Sequence, residues 1–468
     1  MIEKSARFVC LLLLALLWSG CAVGPNYKKP QVPVPPDFRG DYLPPAGGPQ
    51  AASFGDERWW NVFQDPVLHD LIQTALKQNY DVRIAATRVL EARAQLGITR
   101  ADQFPTVTAG ASAVNERVAR SVSLPPIETS ANQVNLSLAW ELDFWGKFRR
   151  ATESARATLL AQEWAQQQVI STLVSDVATA YFQLRELDLE LEIDRNTLAS
   201  RQDSLRLTQL LADHGATSLL DVRQAEQLVH TAAATIPNTE QRIQQQENFI
   251  SILMGNNPQA IARGTRLTDQ AHPPQVPAGL PSSLLERRPD IRQAEQQLIA
   301  ANAQIGVAKA NYFPQIALTG IGGYQSSALT GLFAGPAGLW TFGASAVQPV
   351  FEAGRIKNQV RLATAQTQEA TLFYQNTVQE AFREVSDSLI GYRMSQEFRM
   401  EQEQVTQAAQ EAIKLSDMRY KGGATSYLEV LDSDTRFFTA QLTLAQAQLN
   451  ELESLVQIYK ALGGGWQQ

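Results

Sequence analysis

Two stretches of this chain are versions of one another. DVRIAATRVLEARAQLGITRADQFP, from Asp81, aligns without a gap to DIRQAEQQLIAANAQIGVAKANYFP, from Asp290. Asp81/Asp290, Arg83/Arg292, Gln95/Gln304, Gly97/Gly306, Phe104/Phe313 and Pro105/Pro314 are identical pairs, too many special residues for composition to explain. Further on, HGATSLLDV from His214 matches GGATSYLEV from Gly422, so the register holds across most of the chain. The chain is a duplication, and whatever it folds into is built twice.

Each copy has the same order: an amphipathic helix ending at Phe-Pro, two strand-like segments around a loop, one very long helix, a glycine turn and a returning helix. The strands are read from period two. In NLSLAWELDFW, Leu136, Leu138, Trp140, Leu142 and Phe144 alternate with Asn135, Ser137, Ala139, Glu141 and Asp143. In the second copy Trp340, Phe342, Ala344 and Ala346 alternate with Thr341, Gly343 and Ser345, and the partner strands begin at PTVTAGASA and PQIALTGIGGY. One apolar and one polar face suit a membrane barrel with lipid outside and water inside, although half-exposed strands of a soluble sheet would look similar.

The long helices sharpen this. From about Gly146 to Asp213 there is no proline and no internal glycine, and Ile170, Leu173, Val177, Ala180, Leu184, Leu187 and Leu191 step by three and four. At 1.5 Å per residue such a helix runs roughly 100 Å, longer than a compact domain. Arg355 to Lys421 repeats it, with Val378, Phe382, Val385, Leu389 and Tyr392 on one side. Asp194, Arg201 and Thr208 interrupt the first seam, which suits packing around a wet interior. Four strands cannot close a membrane barrel, whose smallest examples have eight, and open edges are not tolerated in lipid. If these strands span a membrane, several identical chains must share one barrel.

The N-terminus, MIEKSARFVCLLLLALLWSGC, puts Lys4 and Arg7 before an apolar run from Phe8 to Trp18, the pattern of a secretory signal over residues 1–20. Cys10 would leave with it, so Cys21 would remain alone and form no internal disulfide. Trp18-Ser19-Gly20-Cys21 resembles the bacterial lipoprotein processing box, which implies a covalent lipid on Cys21 and no other cofactor. Residues 21–58, rich in proline and glycine, read as a lipid-anchored extended strap. Residues 59–255 form the first repeat, 256–280 a linker and 281–468 the second repeat. Trp59, Trp60 and Phe63 read as core at the start of the body. The formal charge of −7 carries no basic block, so there is no nucleic-acid footprint. The four histidines, among them His69 and His214, are scattered without metal-site or nucleophile-base spacing, so no catalytic site and no metal site is expected.

CAVGPNYKKP, WWNVFQDPVLHDLI, LPSSLLERRPDIRQAEQQLIAANAQIGVAKANYFP, the paired glycine turns and YKALGGGW together resemble the outer membrane factors, the TolC-like efflux channels, in their lipoprotein branch. The resemblance covers nearly the whole mature chain. It implies an α+β membrane protein in which three chains form a twelve-stranded barrel in the outer membrane, continuing into a helical barrel through the periplasm. It further implies a tripartite pump, with a periplasmic adaptor and an inner-membrane RND-type transporter, exporting drugs, toxic compounds or metal ions. In the family the glycine turns lie at the periplasmic tip, so Gly215, Ala216, Thr217 and Ser218 with Gly422, Gly423, Ala424, Thr425 and Ser426 would dock the adaptor. Glu429 and Asp432 match acidic positions that ring the constriction, and Tyr420 and Asp221 match a tyrosine and an aspartate that bridge helices in the closed state. Thr425 and Leu220 stand where some members carry a second bridge. Rival readings are a lipid-anchored coiled-coil adaptor, which would need no paired period-two strands, and an exit duct for type I protein secretion.

Overall fold

A computed structural model describes residues 22–40, 53–119, 127–270, 276–279 and 281–466. The signal segment and Cys21 lie outside the described residues. The chain divides into two compact units. One comprises the strap up to Gln31, Arg88–Glu163 and Gln293–Gln375; the other comprises Val32–Thr87, Trp164–Arg292 and Asn376–Gln468.

In chain order the main elements are α1 (Pro66–Gln78), α2 (Tyr80–Ala101), β1 (Thr106–Val118), β2 (Ile127–Glu141), α3 (Lys147–Asp213), α4 (Leu219–Leu253), α5 (Pro289–Ala310), β3 (Gln315–Ser326), β4 (Gly338–Val347), α6 (Arg355–Lys421) and α7 (Tyr427–Ala461). The duplication is visible in the lengths: α2 and α5 each have 22 residues, α3 and α6 each have 67, and α4 and α7 each have 35. No helix among the described residues is long and apolar enough to cross a membrane.

All four strands lie in the first unit, antiparallel in the order β1-β2-β3-β4, so the two hairpins join along β2 and β3. Val107, Leu138, Gly320 and Phe342 share one row, and Ala109, Leu136, Gly322 and Trp340 the next but one. Because rows two apart share a face, the apolar residues expected from the alternation gather on one side. Leu136, Trp340 and Phe342 are all well exposed there. Phe342 lies across Gly320, where an added Cβ would sit 3.1 Å from its ring.

The alternation overshoots the strand. It continues in the sequence to Phe144, but β2 ends at Glu141 because Asp143 is recruited as the cap of α3, accepting from the backbone N–H groups of Phe148 (3.2 Å) and Arg149 (2.8 Å). Gly146 completes the corner at φ +77°. Trp145 turns back onto Phe313, with ring centroids 4.7 Å apart, and donates to the carbonyl of Pro314 at 2.8 Å. The Phe-Pro of the second repeat is therefore a seat for the corner of the first. The strap runs beside the same corner: Val23 N–H donates to the Trp145 carbonyl (2.9 Å), Asn302 to the Pro25 carbonyl (3.1 Å) and Arg150 to the Asn26 side chain (2.7 Å). At Gly24, φ +107°, a Cβ would fall 2.5 Å from the Cα of Gly306, so both glycines are needed for the approach.

The second unit is organised around α3. Ile170, Leu173, Val177, Ala180, Leu184 and Leu187 are buried as the three-four spacing predicts, and Trp59 and Phe63 join the cluster that runs from Leu173 to Leu187. Asp65 caps α1, accepting from Val67 N–H at 2.9 Å, and also receives the Tyr181 hydroxyl (2.8 Å) and Thr265 N–H (2.9 Å). One buried carboxylate thus ties the linker after α4 to the core. The closing Gly-Gly-Gly-Trp is equally specific: Gly463 and Gly465 have positive φ, the Gly464 carbonyl accepts from Ser171 (2.6 Å), and Trp466 meets Trp164 edge-on.

The polar seam residues differ from expectation. Asp194, Arg201 and Thr208 do not face a wet interior within the chain; each is buried. Asp194 accepts from Thr239 on α4 (2.9 Å), and the Thr208 hydroxyl returns to the Ser204 carbonyl (2.8 Å). Arg201 is paired with Asp434 on α7.

Candidate functional site

The two glycine turns are built alike. α3 ends as Gly215 takes φ +71°, with Gly215 N–H donating to the Ala212 carbonyl (2.9 Å) and Ala216 N–H to that of Leu211 (2.8 Å). α6 ends as Gly423 takes the same φ, with the equivalent bonds from Gly423 to Tyr420 and from Ala424 to Arg419, both 2.9 Å. This left-handed closure satisfies the last helical carbonyls. It requires glycine for conformation and not for space, since a Cβ on Gly215 or Gly423 would meet nothing within 4 Å.

Past each turn a threonine reaches an acid four residues on. Thr217 donates to Asp221 (2.5 Å), and Thr425 donates to Glu429. Ser218 and Asp221 add a reciprocal capping box at the start of α4. The Thr217 hydroxyl, helped by the Ser218 N–H and hydroxyl, holds the Asp221 carboxyl below the ordinary carboxylate value. Ser426 makes no such side-chain cap on α7.

Both carboxylates expected at a constriction have a cation of their own chain beside them. Glu429 lies 3.4 Å from Arg419, and Asp432 lies 2.8 Å from Arg436. Both pairs are exposed, so each contributes little to stability. They do offset the charge that a bare reading of the two acids implies. Asp221 and Tyr420 are not joined within the chain: Asp221 is engaged by Thr217 and Ser218, and the buried Tyr420 hydroxyl has no hydrogen-bond partner among the described residues. The Tyr420 ring instead stands edge-on to Tyr427, 5.4 Å away, beside Ala225 and Val430.

A link that the sequence reading missed lies farther along the same helices. Arg201 on α3, with only 4 % of its side chain exposed, pairs with Asp434 on α7 (2.8 Å) and donates to the Leu228 carbonyl on α4 (3.2 Å). Its guanidinium also stacks over Phe438 at 5.2 Å. A charged residue in a heptad seam was the available signal, but its partner sits in the other repeat.

Residues 71–256 and 280–464 each match the sequence profile described as outer membrane efflux protein, one match for each repeat. The chain belongs to the outer membrane efflux protein family. Among its relatives, the solvent efflux pump outer membrane protein SrpC of Pseudomonas putida is 38% identical over 98% of this chain and 99% of its own. The cation efflux system protein CusC of Escherichia coli is 34% identical over the same shares. The solved outer membrane channel OprN superposes with a TM-score of 0.88 at 31% identity, covering 95% of this chain and all of its own. The open-state MtrE channel of Neisseria gonorrhoeae gives 0.85 at 30% identity, covering 96% and 99%. This outer membrane efflux protein therefore has the α+β channel fold expected from its strands and helices, and it transports and does not catalyse. The paired strands that a coiled-coil adaptor would not need are present.

Proposed function

We propose that this protein is the exit channel of a tripartite efflux pump, in which three copies close one twelve-stranded barrel and conduct small toxic solutes passively outward. One observation carries the reading: within a single chain the four-stranded sheet leaves β1 and β4 as edges and exposes an apolar face. Lipid solvates that face but cannot satisfy the edges, so neighbouring copies must pair with them. The solvent and cation efflux named for SrpC and CusC supports a small-solute cargo. The turns at Gly215 and Gly423 dock the hairpin of a periplasmic adaptor, an inner-membrane RND-type transporter supplies the energy, and a lipid on Cys21 adds an anchor. Glu429, Asp432, Asp221 and Tyr420 line the periplasmic gate.

The test is extraction of the outer membrane in detergent followed by electrophoresis without boiling, with palmitate labelling alongside. Heat-resistant trimers carrying label that is lost in Cys21→Ser support the reading. A monomer that inserts no pores into liposomes sinks it.

A further inference from the structure

α3, α4 and α7 line an open cleft of about 420 Å³ that the channel reading leaves without a role. Its wall is mostly carboxyl and amide: Glu186 and Gln183 from α3, Gln245 and Gln246 from α4, Gln446 and Glu453 from α7. Glu186 is 6 % exposed and lines this space, yet it has no hydrogen bond and no ion pair among the described residues. A buried carboxyl in that condition is costly unless it stays neutral or meets a cation. The nearest cation is already committed, since Arg242 gives two bonds to Glu190, at 2.8 and 2.7 Å.

The amides are oriented for a donor. Gln246 donates from its NH2 group to the Ala180 carbonyl (2.8 Å) and to Gln183 (3.1 Å), and Gln446 donates to Asn450 (2.9 Å). Gln246 therefore keeps only its carbonyl oxygen uncommitted, and Gln446 keeps its carbonyl oxygen and one N–H. Glu453 accepts from Gln183 at 2.7 Å and retains further acceptor capacity. Leu187 and Leu449 supply an apolar floor. A guest here meets acceptors and hydrocarbon, with one guanidinium in the wall, that of Arg242, held by Glu190. Among the described residues no three His, Cys, Asp or Glu side chains are close enough to hold a metal ion, which turns the choice away from chelation.

We propose that this cleft binds an organic ammonium ion, an alkyl amine or diamine, whose N–H groups bond Glu186, Glu453 and the glutamine oxygens while its methylenes lie on Leu187 and Leu449. Burial first, then Glu190, holds the Glu186 carboxyl up at about 7, with Arg242 opposing and Glu453 adding to the rise. Near neutrality the guest therefore displaces a proton from Glu186. The proposal is independent of how the tips gate and of what passes the channel.

The experiment is calorimetric titration of the purified full chain in detergent with cadaverine, at pH 7 in two buffers of different ionisation enthalpy. Saturable binding with release of about half a proton is expected, together with an affinity about tenfold lower or less in Glu186→Gln, which keeps the shape but cannot ionise. No saturable binding overturns the proposal, as does equal affinity in the variant. Equal competition by magnesium at matched ionic strength also overturns it, because that marks diffuse attraction and not a site. Should the variant fail to fold, wild type suffices: affinity should fall about tenfold per unit as pH drops below 7, and a flat profile overturns the proposal.

Discussion

Glu186 makes the stability of this protein depend on pH in a particular direction. Its folded-state value of about 7 lies above the ordinary 4.5. The folded chain thus holds a proton that the unfolded chain has released, so the stabilising contribution is complete below about pH 4.5 and is lost as pH rises through about 7. Glu186→Gln should therefore raise the unfolding temperature at alkaline pH, by on the order of 2 kcal/mol in stability, with the gap closing toward pH 4.5. Melting curves across that range check this, and a gap independent of pH would contradict it. Arg201 presents the opposite case of a buried charge already matched. Arg201→Met strands Asp434 and should cost about 3 kcal/mol, while Arg201→Met with Asp434→Leu should recover most of the loss; thermal unfolding of the three proteins in detergent decides. The sequence marked Arg201 as an interruption of a seam and no more. Its partner is 233 residues away in the other repeat, and no spacing rule reaches that far.

At the scale of elements, duplication made the fold legible. It set the two long helices, the two returning helices and the two glycine turns before any contact was known, because a pattern seen twice in register is hard to misread. It could not say where the copies differ. Gly97 and Gly306 are equivalent, but Gly306 alone receives the strap at Gly24; a Cβ on Gly97 would meet nothing within 4 Å. Asp143 ends β2 early since the demand to cap α3 outweighs the alternation that runs on to Phe144. The returning helices also begin differently. Ser218 caps α4 reciprocally with Asp221, whereas Ser426 makes no side-chain cap on α7, where the longer Glu429 reaches Thr425 and Arg419. Ser218→Ala should accordingly cost about 1 kcal/mol and Ser426→Ala a few tenths at most. Parallel melts of the two variants test the asymmetry, and equal losses would refute it.

For the whole molecule, the reading of the tip acids changes most once their neighbours are known. Glu429 and Asp432 were legible as a pair of carboxylates three residues apart, which alone implies a strongly anionic ring. The pairs with Arg419 and Arg436 would make the proposed ring nearly balanced. Arg419 was hidden because it precedes the turn and comes back to Glu429 only after the chain reverses. On the proposed gate, a balanced ring would attract cations weakly, and removing its acids would leave arginines facing the path. The central claim, an outer membrane channel whose described tip residues sit on its conduction path, is tested most directly by single-channel recording in planar bilayers of wild type and of Glu429→Ala with Asp432→Ala. Discrete channel steps with weak cation preference are expected in wild type, and a reversal to anion preference in the variant. Steps of unchanged ion preference, or no steps from protein that migrates as a stable trimer, would contradict it.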